Sequence, residues 1–90
     1  MKAIITVLGR DRVGIIAEVC TFLSARQINI LDISQTIVQG YFNMLMIVEM
    51  GEEAAARFEQ TACDLRTMGE ATALKIKLQH EEIFNSMHRI

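Results

Sequence analysis

The chain has 90 residues, of which 51% are apolar, and a formal net charge of −2. That length fits one globular domain whose own core leaves it marginally stable, so self-association is expected. The charges are scattered, and without a basic stripe a nucleic-acid partner is disfavoured. The N-terminus lacks a secretory signal pattern, and no apolar run approaches the ~18 residues of a membrane span. These features favour a cytoplasmic protein.

The cysteines give no sign of a disulfide or a metal site. Cys20 and Cys63 lie in segments with helical patterns, and neither belongs to a CxxC or Cys–His motif. We predict that both are buried, reduced thiols, as expected for a cytoplasmic protein.

The first half of the chain predicts a strand, a helix and a β-hairpin. Residues 2–8 are apolar and β-branched, which is typical of a buried strand. Residues 13–26 have helical spacing and carry two adjacent apolar stripes. Residues 28–39 and 42–50 read as paired strands, with a turn at Gly40–Tyr41. One face of the second of these strands is apolar and indicates core or dimer packing; it consists of Phe42, Met44, Met46, Val48 and Met50.

The second half predicts a helix, a strand and a short C-terminal helix. Residues 52–68 are amphipathic, and Gly69 follows as a C-cap. Residues 72–79 alternate as in a strand with one buried face, so that Lys75 and Lys77 face solvent. Residues 81–90 carry apolar residues at helical spacing, namely Ile83, Phe84, Met87 and Ile90.

This order of elements predicts an α+β, ferredoxin-like fold. A βαββαβ chain forms an antiparallel sheet of order 4-1-3-2 with both helices on one face. We expect residues 1–80 to form this domain and residues 81–90 to extend it as a helix. Strand 28–39 then lies at an edge, where a long apolar strand needs to be covered. Pairing of this strand and of helix 13–26 with a second copy gives a homodimer.

Two other functions hosted by this fold remain as minor alternatives. RNA-binding sheets carry a basic residue and several aromatics, whereas "QGYFNMLMI" at 39–47 keeps only the glycine and one aromatic position. Acylphosphatases hold phosphate with an arginine in the loop after the first strand. The segment "GRDRVGI" offers Arg10 or Arg12 for that role, with Asn43 as the candidate amide partner, but its likeness to the acylphosphatase loop is loose.

No catalytic or metal-binding motif is visible in the sequence. The segment "HEEIF" at 80–84 lacks the second histidine of HExxH, and His88 lies eight residues after His80. We therefore interpret both as solvated tail histidines. No Ser-His-Asp or Cys-His grouping is evident from the spacing, and we predict no catalytic residue, metal ligand or cofactor.

Two short segments resemble the ACT domains, which are small regulatory modules that bind amino acids. The first is the loop Asp11-Arg12-Val13-Gly14-Ile15, and the second is Ile28-Asn29-Ile30 at the start of the next strand. The resemblance covers residues 2 to about 79. More narrowly, the whole chain is similar to the stand-alone ACT proteins of the UPF0237 group, which are related to the longer glycine cleavage system repressor.

The resemblance implies a ligand site shared between two domains. In amino-acid-binding members the loop of one domain and strand residues of another contact the ligand. Free N–H groups at a helix start suit a carboxylate, and an asparagine amide both donates and accepts hydrogen bonds. The implied ligand-binding residues are Asp11, Arg12, Val13, Gly14, Ile15, Ile28, Asn29 and Ile30.

Three positions depart from the family pattern. Val13 replaces the usual proline, Gly9 stands where serine-responsive members have a histidine, and Asp11 stands where they have an amide. Serine specificity through the same contacts is therefore not expected. The matching residues also have structural interpretations: Gly14 as relief of crowding at the helix start, Asn29 as a cap of the strand end, and Asp11 as the N-cap of the first helix.

The sequence thus predicts a non-catalytic regulatory module. It would bind a small ligand, an amino acid, at a homodimer interface and signal to a protein partner. The alternative is a module for protein assembly that binds no ligand.

Overall fold

The computed structural model describes residues 1–82. The predicted helix at 81–90 therefore lies, after its first two residues, outside the described part. Four antiparallel strands form one sheet in the order β2-β3-β1-β4, which confirms the predicted ferredoxin-like arrangement. The elements along the chain are β1 (Lys2–Arg10), α1 (Ile15–Ala25), β2 (Asn29–Val38), β3 (Tyr41–Glu49), α2 (Glu52–Ala56), α3 (Phe58–Ala71) and β4 (Leu74–His80).

The hydrophobic core lies between one face of the sheet and the helices. Alternate residues of β1, β3 and β4 point to this face, and Val19 of α1 and Leu65 of α3 pack against them. The apolar stripe of β3 is buried throughout, which confirms its prediction as core packing. Lys75 and Lys77 are exposed on the opposite face of the sheet, as expected.

The end of α1 is fixed by a Schellman motif. The Ile28 N–H donates to the Leu23 carbonyl oxygen at 3.0 Å, and the Gln27 N–H donates to the Ser24 carbonyl oxygen at 3.0 Å. Gln27 itself adopts the left-handed conformation, with φ of 57°. Leu23 and Ile28 are both buried, so this turn is anchored in the core and sets where β2 begins.

The hairpin turn lies one residue earlier than predicted. Gln39 and Gly40 occupy it, both with positive φ (51° and 83°), and Tyr41 is already the first residue of β3. Positive φ at both central residues is characteristic of a type I′ turn, whose twist matches that of the strands it joins.

The predicted helix at 52–68 is two helices, and the second runs past Gly69. The break falls at Arg57, and α3 continues to Ala71. The prediction of Gly69 as a C-cap is therefore wrong, and the residue lies within α3 where the helix packs against β4. A Cβ built there would lie 2.7 Å from the Leu74 carbonyl oxygen, so the glycine lets α3 approach β4 closely.

Three side chains lie elsewhere than the sequence indicated. The prediction that both thiols are buried is wrong, since Cys63 is exposed on the outer face of α3 and Cys20 is half-buried. His80 is no tail residue, because it ends β4 and its ring stacks on Phe58 with centroids 4.0 Å apart. His88 lies outside the described residues.

Gly69→Ala should lower the stability of the domain despite the better helix propensity of alanine. The added methyl group meets a backbone carbonyl that cannot move without shifting β4, and overpacking of this kind costs about 1–3 kcal/mol, more than the roughly 1 kcal/mol gained in propensity. Thermal unfolding should show a lower Tm. Gly51→Ala is the control, because its Cβ meets nothing within 4 Å. A Tm of Gly69→Ala above that of wild type would contradict the packing argument.

Candidate functional site

The loop after β1 is hydrogen-bonded to the turn of the β2–β3 hairpin, and its Arg12 forms an ion pair. The Asp11 N–H donates to the Gly40 carbonyl oxygen at 2.9 Å. The Arg12 guanidinium donates to Glu18 Oε2 at 2.6 Å and to the Val13 carbonyl oxygen at 3.2 Å. The charge of Arg12 is therefore balanced by Glu18 in the first turn of α1, while Val13 is 98% exposed.

Gly14, and not Asp11, is the N-cap of α1. It has φ of 95°, and no side chain in the described part of the chain caps this end of the helix. The first intrahelical bond runs from the Glu18 N–H to the Gly14 carbonyl oxygen, which leaves the N–H groups of the first turn without intrahelical partners. Crowding is not the reason for the glycine, since the nearest atom to a built Cβ is 3.9 Å away. The left-handed backbone is the reason.

Gly9 is a glycine because β4 fills the space of its side chain. A Cβ there would lie 2.6 Å from Leu74 Cδ2 and 3.1 Å from the Ala73 carbonyl oxygen. The position at which serine-responsive members carry a histidine therefore has no room for an imidazole in this fold. The loop offers backbone N–H groups and the Asp11 carboxylate instead.

Asn29 borders a cleft at the other end of α1. The cleft has a volume of about 410 Å³ and is lined by Cys20, Ser24, Gln27, Ile28, Asn29 and Ile30. Ile28 is buried and Ile30 half-buried, so these two form the apolar wall, while Asn29 is exposed. A β-bulge between Ile30 and Asp32 follows directly, and such bulges bend an edge strand beside functional sites.

One protomer does not bring the loop and the Asn29 cleft together. Asn29 pairs with Glu49, which pairs with Lys2 at the start of β1, whereas the loop follows Arg10 at its end. The length of β1 therefore separates them, about 26 Å at 3.3 Å per residue. The eight predicted site residues thus fall into two groups at opposite ends of the sheet.

The edge between these two groups carries exposed apolar side chains. Within residues 1–82, strand β2 has β3 as its one neighbour in the sheet. On the helix side of the sheet, its residues Ile33 and Ile37 are 40% and 55% exposed, and Ile16 of α1 is 36% exposed. A long unpaired strand with exposed isoleucines is a surface that proteins normally cover.

A polar groove of about 750 Å³ lies between the end of α1 and helices α2 and α3, next to the cleft. Arg26 and Asp64 form an ion pair across it at 3.0 Å, and the Arg26 guanidinium lies 3.7 Å above the Phe22 ring. Hydrogen bonds from Gln60 and from Arg26 hold the pKa of the Asp64 carboxyl below its ordinary value. The groove therefore carries charge of both signs.

The sequence did not indicate the part that α1 plays in the cleft. Cys20, Ser24 and Gln27 line it, and none of them belongs to the motif of the loop or of the strand. The four-residue spacing of Cys20 and Ser24 places both on one helix face, and this spacing is a sequence signal that the two can line one site. The direction of Gln27 depends on its left-handed backbone, which the sequence does not reveal.

Comparison with known proteins places this geometry in a family. The family model described as an ACT domain matches residues 2–79. The UPF0237 protein BL1209.1 of Bifidobacterium longum is 54% identical over 89 residues, covering 99% of this chain and 98% of its own. An ACT domain protein from Streptococcus pneumoniae superposes with a TM-score of 0.82 at 38% identity, with 93% of each chain covered.

A second solved structure, described as that of a glycine cleavage system transcriptional repressor, is 27% identical. It superposes with a TM-score of 0.75 over 87% of this chain and 44% of its own. The chain is thus an ACT domain, a member of a family of regulatory modules. Within that family it belongs to the UPF0237 proteins, which it matches over its whole length.

No helix formed by residues 1–82 is long and apolar enough to span a membrane. In the same part of the chain, no three His, Cys, Asp or Glu side chains are grouped so that they could hold a metal ion.

Asp64→Asn should lower the Tm at pH 7 but not in strong acid. Because the folded carboxyl has a lowered pKa, its contribution is complete above the ordinary aspartate value of about 3.9 and disappears as the pH falls through the lowered value. Thermal unfolding between pH 7 and pH 2 measures this. Glu59→Gln, which removes a carboxylate of α3 that forms no ion pair within residues 1–82, is the control. A Tm difference between Asp64→Asn and wild type that persists at pH 2 would contradict a lowered pKa of Asp64.

Proposed function

We propose that this ACT domain is a cytoplasmic, non-catalytic sensor that binds a free amino acid between two copies of the chain and signals to a protein partner. The observation that carries the proposal is the separation of the two groups of site residues along an open edge strand. Each protomer holds one half of a site at each end, so a complete site needs a second protomer.

Antiparallel pairing of β2 with β2 of a second copy joins the halves. The Asn29 end of one strand then lies beside the Val38 end of the other. Val38 pairs with Tyr41, which pairs with Arg10, and the loop follows directly. The cleft of one protomer therefore faces the helix start of its partner, and two equivalent sites result from one two-fold axis. The same pairing covers Ile33 and Ile37.

The chemistry of the two halves suits a free amino acid. The N–H groups at the start of α1 are donors for a carboxylate, and Asp11 is an acceptor for an ammonium group. Asn29 supplies both a donor and an acceptor from the other protomer. A ligand that contacts both chains favours the paired arrangement over others by its difference in affinity, which transmits binding to a partner protein.

A second candidate is an assembly module without a ligand. The exposed isoleucines of β2 favour it, because they explain dimerisation by burial of apolar surface alone. The two functions differ in what happens when a polar residue of the cleft is removed.

Asn29→Ala should abolish most of the response to an amino acid while leaving the dimer intact. At 100 times its Kd a ligand adds ~2.7 kcal/mol to the stability of the protein that binds it, which raises the Tm of a domain of this size by about 10 °C or more. Thermal-shift measurements with each of the twenty amino acids detect this. Asn43→Ala, on the helix-free face of the sheet, should respond as wild type does. Equal responses of the two variants would place the ligand elsewhere, and no response of wild-type protein would favour the assembly module.

Ile37→Asp should convert the dimer into monomers at micromolar concentration. A carboxylate at this position, which is 55% exposed in one protomer, becomes buried without a partner in the paired edge. Sedimentation equilibrium measures the mass. Leu8→Asp is the matched control, since Leu8 is 49% exposed but lies on the helix-free face of β1. Dissociation by Leu8→Asp and not by Ile37→Asp would mean that the dimer uses the other face of the sheet.

A further inference from the structure

Gln27 stands at a position where glycine is the favoured residue. It is the left-handed residue of the Schellman motif that ends α1, with φ of 57°. Residues with a Cβ adopt this conformation at a cost, and glycine does so freely. The Gln27 side chain is exposed, and its amide forms no hydrogen bond with any other residue of 1–82. Packing within the protomer therefore does not explain the glutamine.

The side chain lies where two concave surfaces meet. Gln27 lines both the cleft beside Asn29 and the polar groove that contains Arg26. The left-handed backbone turns the chain sharply between α1 and β2 and so presents this side chain between the two. Residues held in unfavourable backbone conformations are concentrated at ligand sites, where the conformation serves to position a group.

The lining of the cleft defines the chemistry that it accepts. It contains a hydroxyl (Ser24), a thiol (Cys20) and the amides of Gln27 and Asn29, beside the isoleucine wall. Among residues 1–82, no carboxylate, ammonium or guanidinium group lines it. A charged ligand side chain would lose water there without gaining a counter-charge, whereas an uncharged polar one finds donors and acceptors.

We propose that Gln27 contacts the ligand and that, with Asn29, it selects free amino acids whose side chains are uncharged and polar. This inference rests on the proposed function and adds to it a specificity residue outside both ACT motifs and a ligand class: serine, threonine, asparagine and glutamine. The amide of Gln27 hydrogen-bonds the ligand side chain, while the partner's loop holds the carboxylate and ammonium groups. Loss of such a bond weakens binding and discrimination together.

The chain provides a control at Ala73. This residue also has positive φ, 61°, but it lies between α3 and β4, at the edge of the sheet opposite β2, and lines neither the cleft nor the groove. Replacing either residue by glycine relieves a similar backbone cost, so both variants should have an unchanged or slightly higher Tm without ligand. Unlike Gln27→Gly, Ala73→Gly removes no side chain that the proposal places at the ligand.

The experiment compares wild type, Gln27→Gly and Ala73→Gly by thermal shift and isothermal titration with all twenty amino acids. We expect wild type and Ala73→Gly to respond alike to one or more of the four uncharged polar amino acids, and Gln27→Gly to bind the same amino acid at least about tenfold more weakly. As a second measurement, the side-chain amide NMR signals of Gln27 should shift when that amino acid is added, while those of Gln79, on β4 at the opposite edge of the sheet, stay unchanged.

Three other results would overturn the inference in distinguishable ways. Equal affinity of Gln27→Gly and wild type would show that the side chain does not contact the ligand, with the proposed function left standing. A response confined to charged or apolar amino acids would leave the sensor in place and remove the ligand class. No response by wild type to any of the twenty would remove both the sensor and the inference.

Discussion

Helix α1 runs back along the sheet beside β1, so the loop that starts the helix and the strand that follows it lie at opposite ends of the domain. Everything in the candidate site depends on this constraint. The N–H groups at the helix start and the amide of Asn29 are separated by about the length of β1. In the proposed dimer, two copies related by a two-fold axis through the β2 edge bring one helix start and one Asn29 together at each of two sites. A site of this kind makes ligand binding and association two aspects of one equilibrium.

The same edge is the surface through which we propose that the domain associates. A chain of 90 residues buries a limited core, and here the core lies over β1, β3 and β4 while β2 extends beyond it. Ile33 and Ile37 face the helix layer but are not covered by it. In the proposed dimer a second copy covers them, which completes both the sheet and the apolar layer, so that one surface serves both stability and ligand binding.

The two halves of the site contribute different kinds of group. The loop is largely backbone: Gly9 has no room for a side chain, Arg12 is paired with Glu18, and Gly14 supplies the left-handed turn into α1. The cleft is lined by side chains from α1 and the start of β2. In the proposed site, the loop therefore binds the groups common to all amino acids, and the cleft discriminates among their side chains. Such a division would allow related chains to keep the loop while the ligand changes.

Periodicity in the sequence was enough to predict the order of strands and helical segments, the sheet order that this element order implies, and the buried faces of β3 and β4, because alternation and helical spacing are local properties. It did not reveal that the second helical segment is divided at Arg57. The two ACT motifs could likewise be located, since each is contiguous. Tertiary packing alone decided the rest. The role of Gly69 depends on how closely α3 approaches β4, and the N-cap of α1 depends on the left-handed backbone at Gly14. The position of Gln27 between the cleft and the groove depends on a turn conformation that glutamine does not favour, so no local pattern reveals it.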